Sequence, residues 1–389
     1  MIATLIFGVL PLAIWLHMVF GRGMFWRARE RDDRDEAPAP ARWPSVTAVV
    51  PARDEADVIA RSIGGLLAQD YPGVFRVILV DDQSTDGTAE VARDAARTLG
   101  AEDRLTVMGA QPLLAGWTGK LWAVSQGVER ASLDAPDYLL LTDADIGHAP
   151  DNLRNLVARA ESGGYVMVSL MAKLSCANAA ERFLIPAFVY FFQMLYPFAV
   201  VNRAASRVAA AAGGCMLARR EALAAAGGIA AIRHEIIDDC ALGRRMKAQG
   251  PIWLGLTERA VSLRPYNNIA EIGRMVSRSA YAQLGYSPLV LAGVIAGMVL
   301  TYVAPPAAAI LGTGWLRAMG AVAWALMATS FLPMARFYRV SPLWGVALPV
   351  IGGVYTWFTL QSAIQVWRGR GGMWKGRSQA QAGRVGDLL

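Results

Sequence analysis

Cysteine is scarce in this chain. Cys176, Cys215 and Cys240 lie far apart, with no CxxC spacing among them. That argues against a disulfide framework and against a zinc site, and it fits a reduced, cytoplasm-facing domain. There is no internal repeat, and no true phosphate loop either. "WTGK" at 117–120 resembles one only superficially: Leu114 stands where a glycine is needed six residues before Lys120, and Leu121 where Ser or Thr should follow it. The first apolar run has no basic segment ahead of it and no small-x-small cleavage pattern behind it, so a signal peptide is disfavoured. Acidic residues are outnumbered by basic ones, leaving a formal charge of +7, and the excess sits largely beside apolar segments. An anionic lipid surface explains that pattern better than a nucleic acid partner does.

What the chain has is apolar length, at 54% hydrophobic residues. Residues 2–20 are long enough to cross a bilayer, so 1–21 are expected to be a retained transmembrane signal anchor. The charged, Ala/Pro-ending stretch 22–44 suits a juxtamembrane linker. Its Arg22, Arg27, Arg29, Arg31 and Arg34 place that side in the cytoplasm. Residues 45–265 read as a soluble α/β domain and 266–287 as an interfacial helix region. Three further spans are expected within 288–367, near 288–311, 318–335 and 341–366, before a basic tail at 368–389. Three crossings would leave that tail outside, although Arg368, Arg370, Lys375, Arg377 and Arg384 favour the inside. The expectation is three crossings with the tail outside. One apolar stretch inside the domain, 183–201, is also long enough to span. A single crossing there would separate Asp143 from the acidic pair at 238–239, so a helix pair on or just in the membrane surface is expected instead.

Within the domain, strand and helix patterns alternate. "SVTAVVPARDE" is a β-branched strand followed by a helix, and "FRVILVDDQSTDGTAEVARDAARTLG" repeats the plan with a helix from about Thr88 to Gly100, capped by Asp86 or Thr88. "LTVMG", the helix "GKLWAVSQGVERA" and the strand "YLLLTDAD" follow. This alternation predicts a mostly parallel sheet covered on both faces, with ligands outside the carboxyl ends of its strands.

Glu55, Asp82 and the pair Asp143/Asp145 all follow such strand ends. If the last strand runs through "TDAD", Asp143 and Asp145 share a face, where two carboxylates repel unless a cation lies between them. A loop aspartate plus an N-cap is the plainer reading of a lone DxD. For Lys120 the choice lies between a solvated helix-start lysine and a cation near a diphosphate at a helix N-terminus. Asp238 and Asp239 suit the dipole of the helix they open, and can carry chemistry as well.

At these residues the chain resembles the family 2 glycosyltransferases of the GT-A fold. The matches are "VVPARDE", "VILVDDQSTDGT", "GKLWAVSQG", "LLLTDAD" and "EIIDDCALGRRMKAQG", in that order over 45 to about 250. The resemblance implies that Pro51, Ala52, Arg53, Glu55 and Asp82 hold the nucleoside of a nucleotide-sugar donor, most often a UDP-sugar. It places Lys120 by the donor, gives Asp145 with Asp143 a divalent Mg²⁺ or Mn²⁺, and makes Asp239 the catalytic base, with Asp238 in place of the more usual Glu. The QxxRW motif of the processive synthases is missing, which weakens any claim of chain elongation. Its nearest substitutes, Arg274 and Arg278, either clamp phosphates on the acceptor side or face lipid headgroups. The anchor, "VSRSAYAQLGYSP" and the trailing spans are similar to the hopanoid-biosynthesis-associated glycosyltransferases. That narrower resemblance implies a multi-pass bacterial inner-membrane enzyme with a cytoplasmic catalytic domain, glycosylating a hopanoid or related lipid. A polyprenyl-phosphate transferase and a catalytically silent scaffold are the alternatives.

Overall fold

The computed structural model describes residues 4–369, 371, 373–374 and 377–378. Its centre is an eight-stranded sheet. The strands are β1 (Val46–Ala52), β2 (Phe75–Asp81), β3 (Leu105–Gly109), β4 (Tyr138–Thr142), β5 (Ile146–His148), β6 (Met167–Lys173), β7 (Cys215–Arg219) and β8 (Ile252–Ser262). Their order across the sheet is β3-β2-β1-β4-β7-β6-β8-β5. The first four run parallel, β7 is antiparallel to both its neighbours, β6 and β8 pair in parallel, and β5 closes the edge antiparallel to β8. Every residue of β1 and β4 is buried, as expected of strands covered on both faces.

The twofold alternation of β1 divides the core. Val46, Ala48, Val50 and Ala52 join a cluster with Ile59, Ile63 and Leu66 from the helix that follows β1, Ile59–Leu67. Val49 faces the other way. It joins a cluster containing Leu121, Trp15, Phe25, Leu184, Phe331 and Tyr355, so one continuous hydrophobic core runs from the sheet into the apolar helices. The helix Gly119–Ser132 lies directly on β1 and β2. It can do so because Gly127 has no side chain: a Cβ there would meet Val49 Cγ1 at 2.4 Å and Val80 Cγ2 at 2.9 Å.

Among the described residues three helices are long and apolar enough to cross a membrane: Ala179–Val201, Pro288–Leu311 and Gly314–Phe337. Leu5–Gly21 is a shorter apolar helix, and the last expected segment forms the 20-residue helix Leu348–Trp367. The 183–201 stretch does break into a pair, Ala179–Leu195 and Phe198–Val201, at Tyr196-Pro197. Its helices are the hub of the helical layer, because Tyr190 hydrogen-bonds Ser330 at 2.6 Å and Leu184 O accepts from the Tyr355 hydroxyl at 2.9 Å. Large aromatic side chains with few polar atoms bury more surface against neighbouring helices than against headgroups.

The linker is also more ordered than a spacer needs to be. Arg31 bridges β8 at Leu256, with Asp32 N donating to Leu256 O at 3.1 Å and Leu256 N to Glu30 O at 2.8 Å. The buried Asp32 carboxylate accepts from Thr257 Oγ1 at 2.6 Å and pairs with Arg259 at 3.3 Å. Most of the basic tail, including Arg370, Lys375 and Arg384, lies outside the described residues, as does the question of which side it occupies.

A buried polar relay fixes the end of β4. Asn152 Nδ2 donates to His148 Nδ1 at 2.8 Å, His148 Nε2 meets Thr142 Oγ1 at 3.0 Å, and Thr142 Oγ1 donates to Gly214 O at 2.7 Å. This sequence requires the neutral imidazole with its proton on Nε2. Burial lowers the His148 pKa to about 4. Between pH 6.5 and 4 the unfolded chain therefore takes up a proton that the folded chain refuses, and stability falls as pH drops through that window. The two pKa values bound the loss at about 3 kcal/mol. Thermal denaturation in detergent should show that slope in the native chain, and H148Q should be less stable at pH 7 but flatter between pH 6.5 and 4. An unchanged slope in H148Q would show that another group carries it.

Candidate active site

The carboxyl ends of β1, β2 and β4 form one crevice, and the sequence-predicted acids collect along it. Past β1, Arg53 Nη1 donates to Asp82 O and lies 3.6 Å from Asp82 Oδ2, while Asp82 N donates to Ala52 O at 2.8 Å. Pro51, Ala52, Arg53 and Asp82 thus form a single ledge. The loops after β1 and β2 are stitched together above it. Glu55 N donates to Thr88 Oγ1 at 2.8 Å, and Ala56 N donates to Asp86 Oδ2 at 2.9 Å. The expected caps are resolved here: Gly87 occupies the cap position of the helix Thr88–Thr98, Asp86 Oδ1 accepts from Thr88 N at 3.0 Å, and the Thr88 hydroxyl serves the neighbouring loop.

Asp143 and Asp145 do not share a strand face. β4 ends at Thr142, and Asp143–Ile146 is a turn closed by Ile146 N donating to Asp143 O at 3.3 Å. The reason is the relay through Thr142 and His148, which ends the strand before the first aspartate. The turn gives each carboxylate a different cation. Lys120 Nζ lies 2.8 Å from Asp143 Oδ1 and 3.2 Å from Asp238 Oδ2. Arg264, from the segment after β8, pairs with Glu55 and lies 3.8 Å from Asp145 Oδ2 and 3.4 Å from Asp57 Oδ1.

Lys120 is therefore not a solvated helix-start lysine. The Thr118 hydroxyl caps its helix, accepting from Leu121 N at 3.4 Å, and sets the lysine over the crevice. Burial works against its charge, but Asp143 and Asp238 outweigh that and hold the ammonium above its usual range. Asp239 is the first turn's second acid on the helix Asp238–Lys247. Its Oδ2 accepts from Gly213 N at 3.0 Å and its Oδ1 from Cys240 N at 2.7 Å. Burial first, and the Asp238 charge second, push Asp239 up to about 6 against those amides. Burial likewise raises Asp145 to about 6, helped by Asp143 and Glu55 and opposed by Arg264. A small pocket between these groups is lined by Pro51, Lys120, Asp143, Gly213 and Asp238.

The two arginines after the domain part company. Both are exposed, but Arg274 sits 3.8 Å from Glu271 one turn away on its own helix, Ile269–Ser277. Arg278, just past that helix, is near enough for its charge to act on Lys120 and on Tyr266, and Tyr266 also feels Asp145. Three participants were not anticipated: Arg264, Tyr266 and the Gly213 amide. Only the Gly213-Gly214 doublet ahead of β7 offered a local signal; Arg264 is more than 200 residues from Glu55.

No group of three or more His, Cys, Asp or Glu side chains poised for a metal occurs among the described residues. The turn still fits a hard divalent cation. Asp143 and Asp145 offer oxygen ligands, Glu55 adds a third nearby negative charge, and such ions commonly take one or two carboxylates with substrate phosphates supplying more.

Residues 44–258 match the family model described as "Glycosyltransferase like family 2". The chain belongs to that family. It is accordingly a glycosyltransferase, and its sheet is of the GT-A type. Among solved structures it is similar to a mannosyltransferase from Pyrobaculum calidifontis in complex with GDP-Man and Mn²⁺, at 22% identity and a TM-score of 0.52, covering 92% of this chain and 98% of that one. Mannosyl-3-phosphoglycerate synthase from Rubrobacter xylanophilus is matched at 20% identity and a TM-score of 0.37, over 62% of this chain and 74% of that one. Glucosyl-3-phosphoglycerate synthase from Mycobacterium tuberculosis, with Mn²⁺, UDP-glucose and phosphoglyceric acid, is matched at 18% identity and a TM-score of 0.40, over 62% and 79%.

In this enzyme, Lys120→Met should leave Asp143 and Asp238 facing each other without their cation. A loss of about 1–3 kcal/mol is expected, less than for a fully enclosed pair because the lysine is partly exposed. Denaturation of K120M should show that loss, and K120M/D238N should recover part of it. Equal stability of all three proteins would mean that the bridge holds nothing together.

Proposed function

We propose that this glycosyltransferase is a membrane-embedded, metal-assisted, inverting enzyme that moves a sugar from a nucleotide-sugar to a lipid hydroxyl, on a hopanoid or a related lipid. The observation that carries the lipid acceptor is the position of Tyr196. It marks the break in the apolar Ala179–Val201 segment, it lies against Cys240, the residue after Asp239, and its hydroxyl accepts from Gln283 Nε2 at 2.7 Å. An apolar element thus reaches the residue next to the candidate base. In this reading residues 1–21, 183–201 and 288–367 meet the membrane, and 45–265 work on the cytoplasmic side of a bacterial plasma membrane, where nucleotide-sugars are found.

On the donor side, the ledge of Pro51, Ala52, Arg53 and Asp82, with Glu55, receives the nucleoside, and Lys120 lies by the diphosphate. Asp145, assisted by Asp143, would hold Mg²⁺ or Mn²⁺, which when bound neutralises charge on the departing diphosphate. The Mn²⁺ and GDP-Man held by the similar mannosyltransferase support that part of the reading. Asp239 takes the proton from the acceptor hydroxyl as it attacks the sugar. Its raised pKa suits it, because a base near the working pH combines ionisation with proton affinity. We assign Arg278 to the phosphate or acceptor, since its charge acts on Lys120, and Arg274 to the headgroup side.

Asp145→Ala should remove Mn²⁺-dependent donor binding, read by calorimetry, and with it transfer, while melting behaviour stays close to native, since Arg264 keeps Glu55. Full activity in D145A would sink the metal assignment. Asp239→Asn should keep donor affinity and lose turnover by about 10²–10⁴-fold. If affinity collapsed and bound donor still turned over, Asp239 would be a binding residue; an unimpaired D239N would point to an acceptor already ionised, such as a polyprenyl phosphate.

A further inference from the structure

A second cavity, of about 410 Å³, lies away from the catalytic crevice, where the helix Leu5–Gly21 meets the domain. Its wall includes Phe20, Met24, Arg27, Arg29, Glu30 and Arg203. That volume is in the ordinary range of small-molecule sites, about 300–1,000 Å³. Its charge is unbalanced: the lining carries three arginines, of which Arg29 and Arg203 are exposed, against one glutamate. Among the described residues none of Arg27, Arg29 and Arg203 has a carboxylate within ion-pair distance, and Arg27 is half-buried, stacked on Trp26 at 5.5 Å.

The wall is held in shape. Arg22 donates to Met194 O at 2.6 Å and to Leu195 O at 3.1 Å, which ties the turn to the end of the Ala179–Leu195 helix. Gly23 takes a φ of +63°, and a Cβ there would meet Val200 Cγ2 at 2.6 Å, so only glycine allows the turn to close on the neighbouring helix. Met24 and Ala28 are also left-handed, at φ 53° and 47°, conformations that persist only where the surroundings impose them. Phe20 in this lining, Leu16 one turn earlier on the same helix, and Leu195, whose carbonyl Arg22 holds, are exposed apolar side chains. Guanidinium groups without a carboxylate partner, beside exposed apolar surface, match a phosphate diester carrying acyl chains.

We propose that this pocket binds the headgroup phosphate of an anionic glycerophospholipid, whose chains lie along Leu16, Phe20 and Leu195. The proposal rests on the membrane-embedded reading and goes beyond it by assigning a specific lipid site distinct from the acceptor crevice. The test uses the full chain in nanodiscs of phosphatidylcholine with a minor share of phosphatidylglycerol. Native mass spectrometry then counts the phosphatidylglycerol retained after mild delipidation. One retained molecule per chain is expected, resistant to millimolar inorganic phosphate. R27Q/R203Q should lower its retention about tenfold, since each basic side chain near a lipid surface contributes on the order of a few-fold in binding. E30Q should raise retention, a gain that misfolding cannot mimic. R93Q/R97Q, which removes the same charge from an exposed helix of the domain, should change nothing. Equal retention in R27Q/R203Q and the native chain, or displacement by inorganic phosphate, overturns the lipid site alone. Failure of the native chain to enter the disc overturns both this proposal and the membrane reading.

Discussion

Five carboxylates, from Glu55, Asp143, Asp145, Asp238 and Asp239, are drawn to one partly desolvated crevice, and bare they would drive it apart. Two cations make the arrangement possible. Lys120 spans Asp143 and Asp238, and Arg264 spans Glu55 and Asp145. Much else in the fold serves to deliver those two groups. Gly127 lets the lysine's helix sit down on β1 and β2, and β8 carries the chain across the sheet so that Arg264 emerges opposite the end of β1. Asp239 is the exception, held by two backbone amides and, among the described residues, by no side-chain cation at contact distance, and it keeps a pKa lifted towards neutrality.

The balance is tight enough to respond to a ligand. A diphosphate would compete for Lys120, and a divalent cation would compete with Arg264 for Asp145. Binding at the crevice therefore exchanges internal ion pairs for external ones, which limits the net desolvation cost of bringing a highly charged donor into a site already full of charge.

Much of this was legible in the sequence. The strands of the first half, their parallel order and the convergence of Glu55, Asp82 and the DxD pair on the strand ends follow from twofold and 3.6-fold periodicity plus the rule for ligand position in α/β sheets. What periodicity cannot convey is where a strand stops. β4 ends one residue before Asp143 because a buried histidine relay anchors Thr142, and nothing local in "LLLTDAD" reports a hydrogen bond to Gly214. Arg264 was hidden for the same reason, since its role depends on pairing across the sheet. For 183–201, composition measures affinity for an apolar environment, and the Tyr190–Ser330 and Tyr355–Leu184 hydrogen bonds show that other helices supply part of it, which no local pattern reports.

The stitch between Arg31 and Leu256, with the buried Asp32–Thr257–Arg259 contacts behind it, has a geometric meaning. A linker that is a hydrogen-bonded part of the sheet cannot act as a tether, and the core that continues from Val49 to Phe331 removes the other freedom, rotation of the domain against its helices. In the proposed membrane setting the crevice then stands at a set height and tilt above the bilayer. Such an enzyme selects acceptors by depth as well as by chemistry: a hydroxyl buried a few ångströms too deep, or projecting too far into water, never meets Asp239, however well the rest of the lipid fits.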